Sequence, residues 1–433
     1  MTDFRTAPID PTSASSLAKA GLLYDLVDTG DRAAFEAWIH ADVRGFHGGA
    51  LSAEQLAATV AGVAYRRTTG VWDGSALEAS MPVATVSSWP APLTVPGERS
   101  VEAWAISSVT VAPTHRRKGI ARALLEGELR TASALGIPLA ILTVSESTIY
   151  GRFGFAPGVF GTKVTIDTKR AKWTGPEVQG RVQFMSIEQF RAEIEPMHER
   201  IRLRSPGQIP AWPLRWDQIS GLADGEPERS KAMRAVRFDN PDGSLAGLAA
   251  YRVTGGENDF TSHTLTVEFL ASETQEAYLG LWRYLLEVDL VSTVTAELRS
   301  PEEPMLWQLS DRRAAKLETW DHLWLRILDV PAALQSRSWS VDGRWVFEVT
   351  DALGFAAGRF ELLVADGAAT VSVTDAPAQA TLTVNALSAL LPGGVAATTL
   401  AAAGHITEHA PGAVESLTTA FHGPRLPWLS VWF

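Results

Sequence analysis

An α+β fold built from several domains is what this sequence predicts, and three observations carry the prediction. The chain has 433 residues, enough for two to four domains. The run Trp104–Val111 is rich in β-branched and aromatic residues and stops before Pro113. It leads through Arg116, Arg117, Lys118 and Gly119 into a helical apolar stripe at Ile120, Ala121, Leu124, Leu125 and Leu129. Towards the other end, strand-like stretches at Trp345–Thr350, Gly358–Val364, Thr370–Thr374 and Ala380–Val384 precede helical ones at Ala386–Leu391, Val395–Ala403 and Ala413–Phe421. Strands gathered before helices make the α+β pattern.

Taken in order, residues 1–16 are polar and rich in Pro, Thr and Ser, the composition of a partly mobile lead-in. From Leu17 to Ile39 apolar residues fall at helical spacing, at Leu22, Leu23, Leu26, Val27, Phe35, Trp38 and Ile39. Gly45–Gly49 breaks that pattern, and Ser52 is placed to cap a helix with Glu54 and Gln55 behind it. Strands are expected around Thr68–Trp72, Glu78–Trp89 and Ser100–Val111, as an antiparallel meander. After the helix that follows Gly119, a turn at Gly136–Pro138 leads into a short strand, Leu139–Val144. Residues 160–320 alternate strand-like and helical stretches, including Ala249–Val253, Thr264–Phe269 and a helix near Tyr278–Val288. Trp212, Trp216, Trp282, Trp307 and Trp320 are expected in the core.

Bulk properties exclude several classes. Hydrophobic residues are 46% and charged residues 20% of the chain, an ordinary globular balance. With no cysteine there is no disulfide, thiolate metal site or cysteine nucleophile. The formal charge of −11 argues against nucleic acid and suits a cationic substrate, as well as simple solubility. No apolar run is long enough to span a membrane, and Met1–Arg5 lacks the apolar core of a signal peptide, so the expected address is cytoplasmic. His198-Glu199 has no second histidine at zincin spacing, and no metal is expected.

The strand, basic glycine turn and helix start together form an anion site. Free N–H groups at the helix head and the positive end of its dipole favour a phosphate. Gly119 lets the backbone approach it, and Arg116, Arg117 and Lys118 add cations. The run Arg116-x-x-Gly119-x-Ala121 resembles the pyrophosphate loop of GNAT acetyltransferases, and Tyr150, Phe153, Gly154 and Phe155 fit a later slot of that family. Over its whole length the chain resembles the Eis-type N-acetyltransferases of actinobacteria. The match is carried by Val109–Gly119, Ser145-Glu146 with Ile149–Gly154, Leu323–Ile327 with Val330–Leu334, Thr399–Ala403, and a final Phe.

The resemblance implies a GNAT domain at 1–160, a second GNAT-like domain without the pyrophosphate loop at 161–321, and a domain like sterol carrier proteins at 322–433. It implies a homohexamer, a trimer of dimers, and acetyl transfer from acetyl-CoA to amines of cationic small molecules such as aminoglycosides or polyamines. Val109, Thr110 and Val111 would meet the pantetheine arm. Arg117, Lys118, Gly119, Ile120, Ala121 and Arg122, flanked by Arg116, would cradle the pyrophosphate. Ser145 and Glu146 would add CoA contacts, or else cap a helix. Tyr150 would be the general acid, its phenol matched in basicity to a leaving thiolate. The α-carboxylate of Phe433 would be the general base, or equally an anchor for the substrate's ammonium. The substrate side departs from the family: Ser108 stands where an aromatic can sit, Phe46 fills at most one aromatic slot, and the penultimate residue is Trp432 rather than an acid. A smaller or more apolar amine is therefore expected. The rival readings are a lipid or sterol carrier and a GNAT acting on protein lysines.

Overall fold

A computed structural model of the chain describes residues 3–223, 225, 227–256 and 259–433; Met1 and Thr2 of the lead-in lie outside them. The chain divides into two compact units, one of residues up to 159, 323–425 and 433, the other of residues 160–322 and 426–432.

The lead-in is ordered, contrary to expectation. Asp10 caps helix α1 (Pro11–Ala18), accepting from the Ser13 N–H at 2.7 Å, and Pro11 takes the first turn, where its missing N–H is not needed. Arg130 pairs with Asp10 at 3.0 Å, and Phe4 meets Trp104 edge to face. The composition of a loose segment is also that of a helix start. The stretch after it is likewise not helical throughout: Leu22–Leu26 forms strand β1, with Leu22 and Tyr24 buried and Leu23 exposed. That period of two was masked by the flanking helices. Helix α2 (Arg32–Gly45) then buries Phe35, Trp38 and Ile39, and α3 (Ala53–Val63) starts with a capping box between Ser52 and Gln55.

Strands β2 (Arg67–Asp73), β3 (Ala84–Val95) and β4 (Arg99–Val111) form the antiparallel meander. β3 begins later than expected because Asp73 turns the chain, accepting from the Ser75 N–H at 2.9 Å. Its Pro90 and Pro92 are tolerated because β2 pairs only with Ala84–Ser88, leaving the far half of that edge unpaired by β2. Helix α4 (Ile120–Ala134) crosses to β5 (Leu139–Thr143), parallel to β4. A buried polar clasp fixes α4 on the sheet. Glu128 takes Arg67 at 2.6 Å, Ser88 at 2.6 Å and the Trp104 indole at 2.9 Å.

The second unit begins within β6 (Ala156–Asp167) and continues through β7 (Arg181–Met185), α5 (Ile187–Arg202), α6 (Pro213–Ser220), α7 (Pro227–Ala232), β8 (Met233–Asp239), β9 (Leu245–Thr254), β10 (His263–Ser272), α8 (Gln275–Leu286) and β11 (Val291–Arg299). Its strand order is β7-β8-β9-β10-β11-β6, with only β10 and β11 parallel. This repeats the pairing of β1 to β5. The helix between the parallel strands differs at its head: Thr274 caps α8 with its own side chain and Glu276 lies in the first turn. A head closed by its cap and bearing an acid does not invite a phosphate. Trp216 and Trp282 are buried as expected, but Trp307 is 74% exposed, its face covered by Arg312 at 4.5 Å. Fully buried His322 donates from Nε2 to the Val431 carbonyl at 2.9 Å, and burial pushes its pKa down to about 4.

The chain then re-enters the first unit along β12 (Ala315–Ile327), whose last residues, Leu323–Ile327, pair antiparallel with β5. There follow α9 (Val330–Gln335), β13 (Gly343–Thr350), β14 (Gly358–Ala365), β15 (Ala368–Val373), β16 (Ala380–Thr383), α10 (Val384–Leu390), α11 (Ala397–Ala402), β17 (Ile406–Glu408) and α12 (Ala413–Phe421). The second sheet, in order β15-β14-β13-β16-β17, buries Phe347, Leu362 and Leu382, and α10 and α12 bury Leu387 and Phe421.

Candidate active site: a gap between parting strands

β4 and β5 are joined only over Ala103–Ala105 and Leu139–Ile141. Beyond that point they part. Ser107–Val111 on one side and Leu142–Thr143 on the other have no ladder partner across the gap, so an amide-rich ligand could pair with main-chain groups there. A bulge marks the place: the β3–β4 register shifts between Thr85 and Ser87, and Ser108 has φ +57°. Such a conformation is costly for a residue with a side chain. Here it is held by Thr85, whose hydroxyl donates to the Ser108 carbonyl at 2.8 Å. The expected edge Val109, Thr110 and Val111 follows directly, and Val109 and Val111 pack against the apolar cluster that also holds Tyr150 and Leu142.

At the end of β4 the chain turns over Pro113–His115. His115 is clamped between the Thr114 hydroxyl at 2.8 Å and Asp73 at 3.0 Å, and hydrogen bonds from Ser75 and His115 hold the Asp73 carboxyl below its usual range. Gly119, at φ +77°, caps α4 without a side chain, and the first helical bond runs from Ala123 N to Gly119 O. The N–H groups of Ile120, Ala121 and Arg122 therefore have no helical partner. Arg116, Arg117, Lys118 and Arg122 are all exposed around this head. The arrangement fits a pyrophosphate, whose charge would be met by the helix dipole and several cations.

Tyr150 begins the 3₁₀ turn Tyr150–Phe153 and is 7% exposed. Burial first, and the charge of Glu146 second, raise its pKa, so the phenol stays protonated at neutral pH. The turn is held by residues from far along the chain. Asn385 Nδ2 donates to the carbonyls of Gly151 at 2.9 Å and Phe155 at 2.8 Å. Fully buried Arg326 donates to the Phe153 carbonyl at 2.7 Å and to both oxygens of Asp351 at 2.8 and 2.7 Å. Asn385→Ala is expected to lower kcat by roughly tenfold while acetyl-CoA binding is kept, because two carbonyls of the Tyr150 turn lose their donor. Steady-state kinetics beside a binding titration checks this.

Phe433 is brought to the same gap. Its main-chain oxygen accepts from the Thr143 hydroxyl at 2.5 Å, at the end of β5, and its ring meets Trp89 edge to face with centroids 5.5 Å apart. The Arg66 guanidinium covers the Trp89 ring at 4.0 Å. Other expected residues lie differently. Ser145 and Glu146 are exposed, and Ser145 caps nothing in the Tyr150 turn, where Ile149 holds the cap position without a side-chain bond. Phe46, at the end of α2, is 52% exposed, and Trp432 packs edge-on against His322 in the second unit. Sequence reasoning missed Asp42, Arg66, Trp89, Thr143, Arg326, Asp351 and Asn385. None of them carries a local sequence signal: Asp42, for one, shares α2 with a second acid, Glu36. Among the described residues no cluster of His, Asp or Glu could hold a metal, and no helix is long and apolar enough to cross a membrane.

Fold and site together define a GNAT acetyltransferase. Sequence profiles described as "Acetyltransferase (GNAT) domain" match residues 28–158 and 208–327, and one described as "Sterol carrier protein domain" matches residues 330–430. The chain belongs to the Eis-type N-acetyltransferase family. It is 34% identical over 371 residues to an "Uncharacterized N-acetyltransferase" of Streptomyces avermitilis, covering 84% of this chain and 87% of the relative. It is 34% identical over 340 residues to N-acetyltransferase Eis of Mycobacterium tuberculosis, covering 76% and 80%. The crystal structure of Eis1 from Mycobacterium abscessus matches at a TM-score of 0.78 and 27% identity, over 95% of this chain and 100% of that one.

Proposed function

We propose that the enzyme transfers acetyl from acetyl-CoA to an amine of a cationic small molecule of the aminoglycoside or polyamine kind. The observation that carries this is the gap itself, with an uncapped helix head at one end and the main-chain oxygen of Phe433 at the other. Ile120, Ala121 and Arg122 would take the pyrophosphate on their N–H groups, with Arg116, Arg117 and Lys118 around it. Val109–Val111 would pair with the pantetheine amides, and an N–H at the bulge would face the thioester oxygen as it gains charge. Tyr150 would give its proton to the departing thiolate. The carboxyl of Phe433, the last residue of this sequence, would face the acceptor's ammonium, oriented by Thr143. The net charge of −11 supports a cationic acceptor.

Thiol release measured across aminoglycosides, polyamines and lysine tests the reading, and a melting curve with acetyl-CoA tests the binding half alone. At a hundred times its Kd, a ligand of the native state adds about 2.7 kcal/mol to stability. A rise in melting temperature with acetyl-CoA and thiol release with at least one amine are expected. No shift at millimolar acetyl-CoA would point instead to a carrier role.

A further inference from the structure

The second unit takes in a short segment from the far end of the chain, Leu426–Trp432. The segment joins no sheet, and burial alternates along it. Pro427, Leu429 and Val431 are buried, Trp428 and Ser430 are half-buried, and Trp432 is exposed. A period of two marks an extended chain with one side laid on a surface. Its main chain is held as well. The Trp428 N–H donates to the Pro206 carbonyl at 3.0 Å, and the Val431 carbonyl accepts from His322 at 2.9 Å. Between them, Gln208 Oε1 accepts from the Ser430 hydroxyl at 2.9 Å and from the Ser430 N–H at 3.4 Å. Pro206 and Gln208 are buried in the loop between α5 and α6, with Gly207 at φ +92° between them. A buried amide costs stability unless it is bonded, and Ser430 supplies the donors that Gln208 needs.

Trp428 meets the second unit's counterpart of the gap. β10 and β11 are joined over His263–Val267 and Val291–Ala296 and then part, as β4 and β5 do. Here Arg299, at the end of β11, bridges the opening. Its guanidinium donates to the Leu270 carbonyl of β10 at 3.3 Å and to Glu303 at 3.0 Å. It also covers the Trp428 ring at 5.2 Å, a cation on an aromatic face. The first unit has an open strand edge and an uncapped helix head. The second has a bridged opening, a capped helix and a peptide.

Resting on the acetyl-transfer reading, we infer that the second unit is a dock for the chain's own tail, and that Gln208 is a positioning residue for the carboxyl of Phe433. The mode is that of an extended peptide: main-chain bonds give affinity and alternate side chains give register. A slip of one residue would turn Ser430 onto the buried side and carry Phe433 along by about 3.4 Å. Only Trp432 separates Val431 from Phe433, and two residues span at most ~7 Å. An undocked tail beyond Arg425 would wander over about 16 Å. Docking thus confines Phe433 to roughly a tenth of the volume a loose tail explores. That is worth about tenfold in the effective concentration of its carboxyl. Phe433 itself belongs to the first unit, where its oxygen accepts from Thr143.

The test uses the full chain and a variant on each side of the bond. Gln208→Met keeps the length of the side chain and deletes its acceptor, and Ser430→Ala deletes the hydroxyl donor from the tail. Each is expected to lower kcat for thiol release roughly tenfold, with KM for acetyl-CoA unchanged. The two act on one bond, so the double variant should lose no more than either alone. Gln208→Glu keeps an acceptor at the same reach and should recover most of the rate. Carboxypeptidase A reads the tail directly. Release of Phe433, followed by mass spectrometry, should be roughly tenfold faster in both single variants. Their melting temperatures should fall by no more than about 4 °C, the cost of one hydrogen bond. Unchanged release of Phe433, faster release with undiminished kcat, or additive losses in the double variant overturns this inference alone. An unaltered chain that binds acetyl-CoA but acetylates no amine overturns the transfer reading and the catalytic half of the inference, and release of Phe433 still decides the dock.

Discussion

Tyr150→Phe is expected to lower kcat by roughly 10²- to 10⁴-fold, the range spanned by a single general acid. The ring is buried in the cluster around Leu142 and meets Phe155 edge to face, so phenylalanine keeps the packing and deletes only the hydroxyl. Acetyl-CoA binding should survive, because the helix head at Gly119 and the edge Val109–Val111 are untouched. The loss should therefore appear in kcat with KM for acetyl-CoA little changed, the signature of an interaction made only in the transition state. A thiolate is a stable enough leaving group for solvent to supply part of the proton. For that reason the deficit should shrink as pH falls. A kcat within threefold of the unaltered enzyme would remove Tyr150 from the mechanism.

The second large effect is expected at Phe433. On the proposed reading, adding two or three residues after it would turn a carboxyl, whose oxygen accepts from Thr143, into a neutral amide and push further chain into the gap. Acetylation should fall by at least 100-fold, and most for polycationic acceptors, whose attraction to the carboxyl is lost. Thermal stability should change little, since the Trp89–Phe433 contact needs only the ring. Phe433→Ala separates the two contributions: it keeps the carboxyl but loosens its position, so a fall of intermediate size is expected. Full activity of the extended enzyme, measured by thiol release, would leave Phe433 with a packing role only.

What could be read from the sequence was what is encoded locally. The basic turn before α4 is local because β-branched residues, Pro113, a basic triplet and Gly119 each constrain their own backbone. The path of the Tyr150 turn is local in the same way, with Gly154 at φ +85°, although its supports are not. The α+β architecture followed from periodicity. Short elements failed: β1 is five residues between two helices, too brief for its alternation to stand out, and α1 begins with residues that serve equally in a linker. The supports of the site were invisible because their partners lie far apart in the chain. Thr143 and Phe433 are separated by 290 positions, and Asn385 and Gly151 by 234. Asp42 is a different case. It is one of two acids on α2, and nothing local sets it apart until a strand some 65 positions later is folded against the last turn of that helix.

The return of the chain along β12 has a consequence for synthesis. When residue 159 has left the ribosome, the flank of β5 that will receive Leu323–Ile327 is bare, and about 160 further residues must be made before it is covered. At about 5–20 residues per second, that is a wait of roughly 10–30 s with an open strand edge in the nascent polypeptide. Neither unit is complete in that interval, because the second also takes in residues 426–432. Catalytic competence is thus among the last properties the molecule acquires, and prematurely terminated translation products of this gene should be inert.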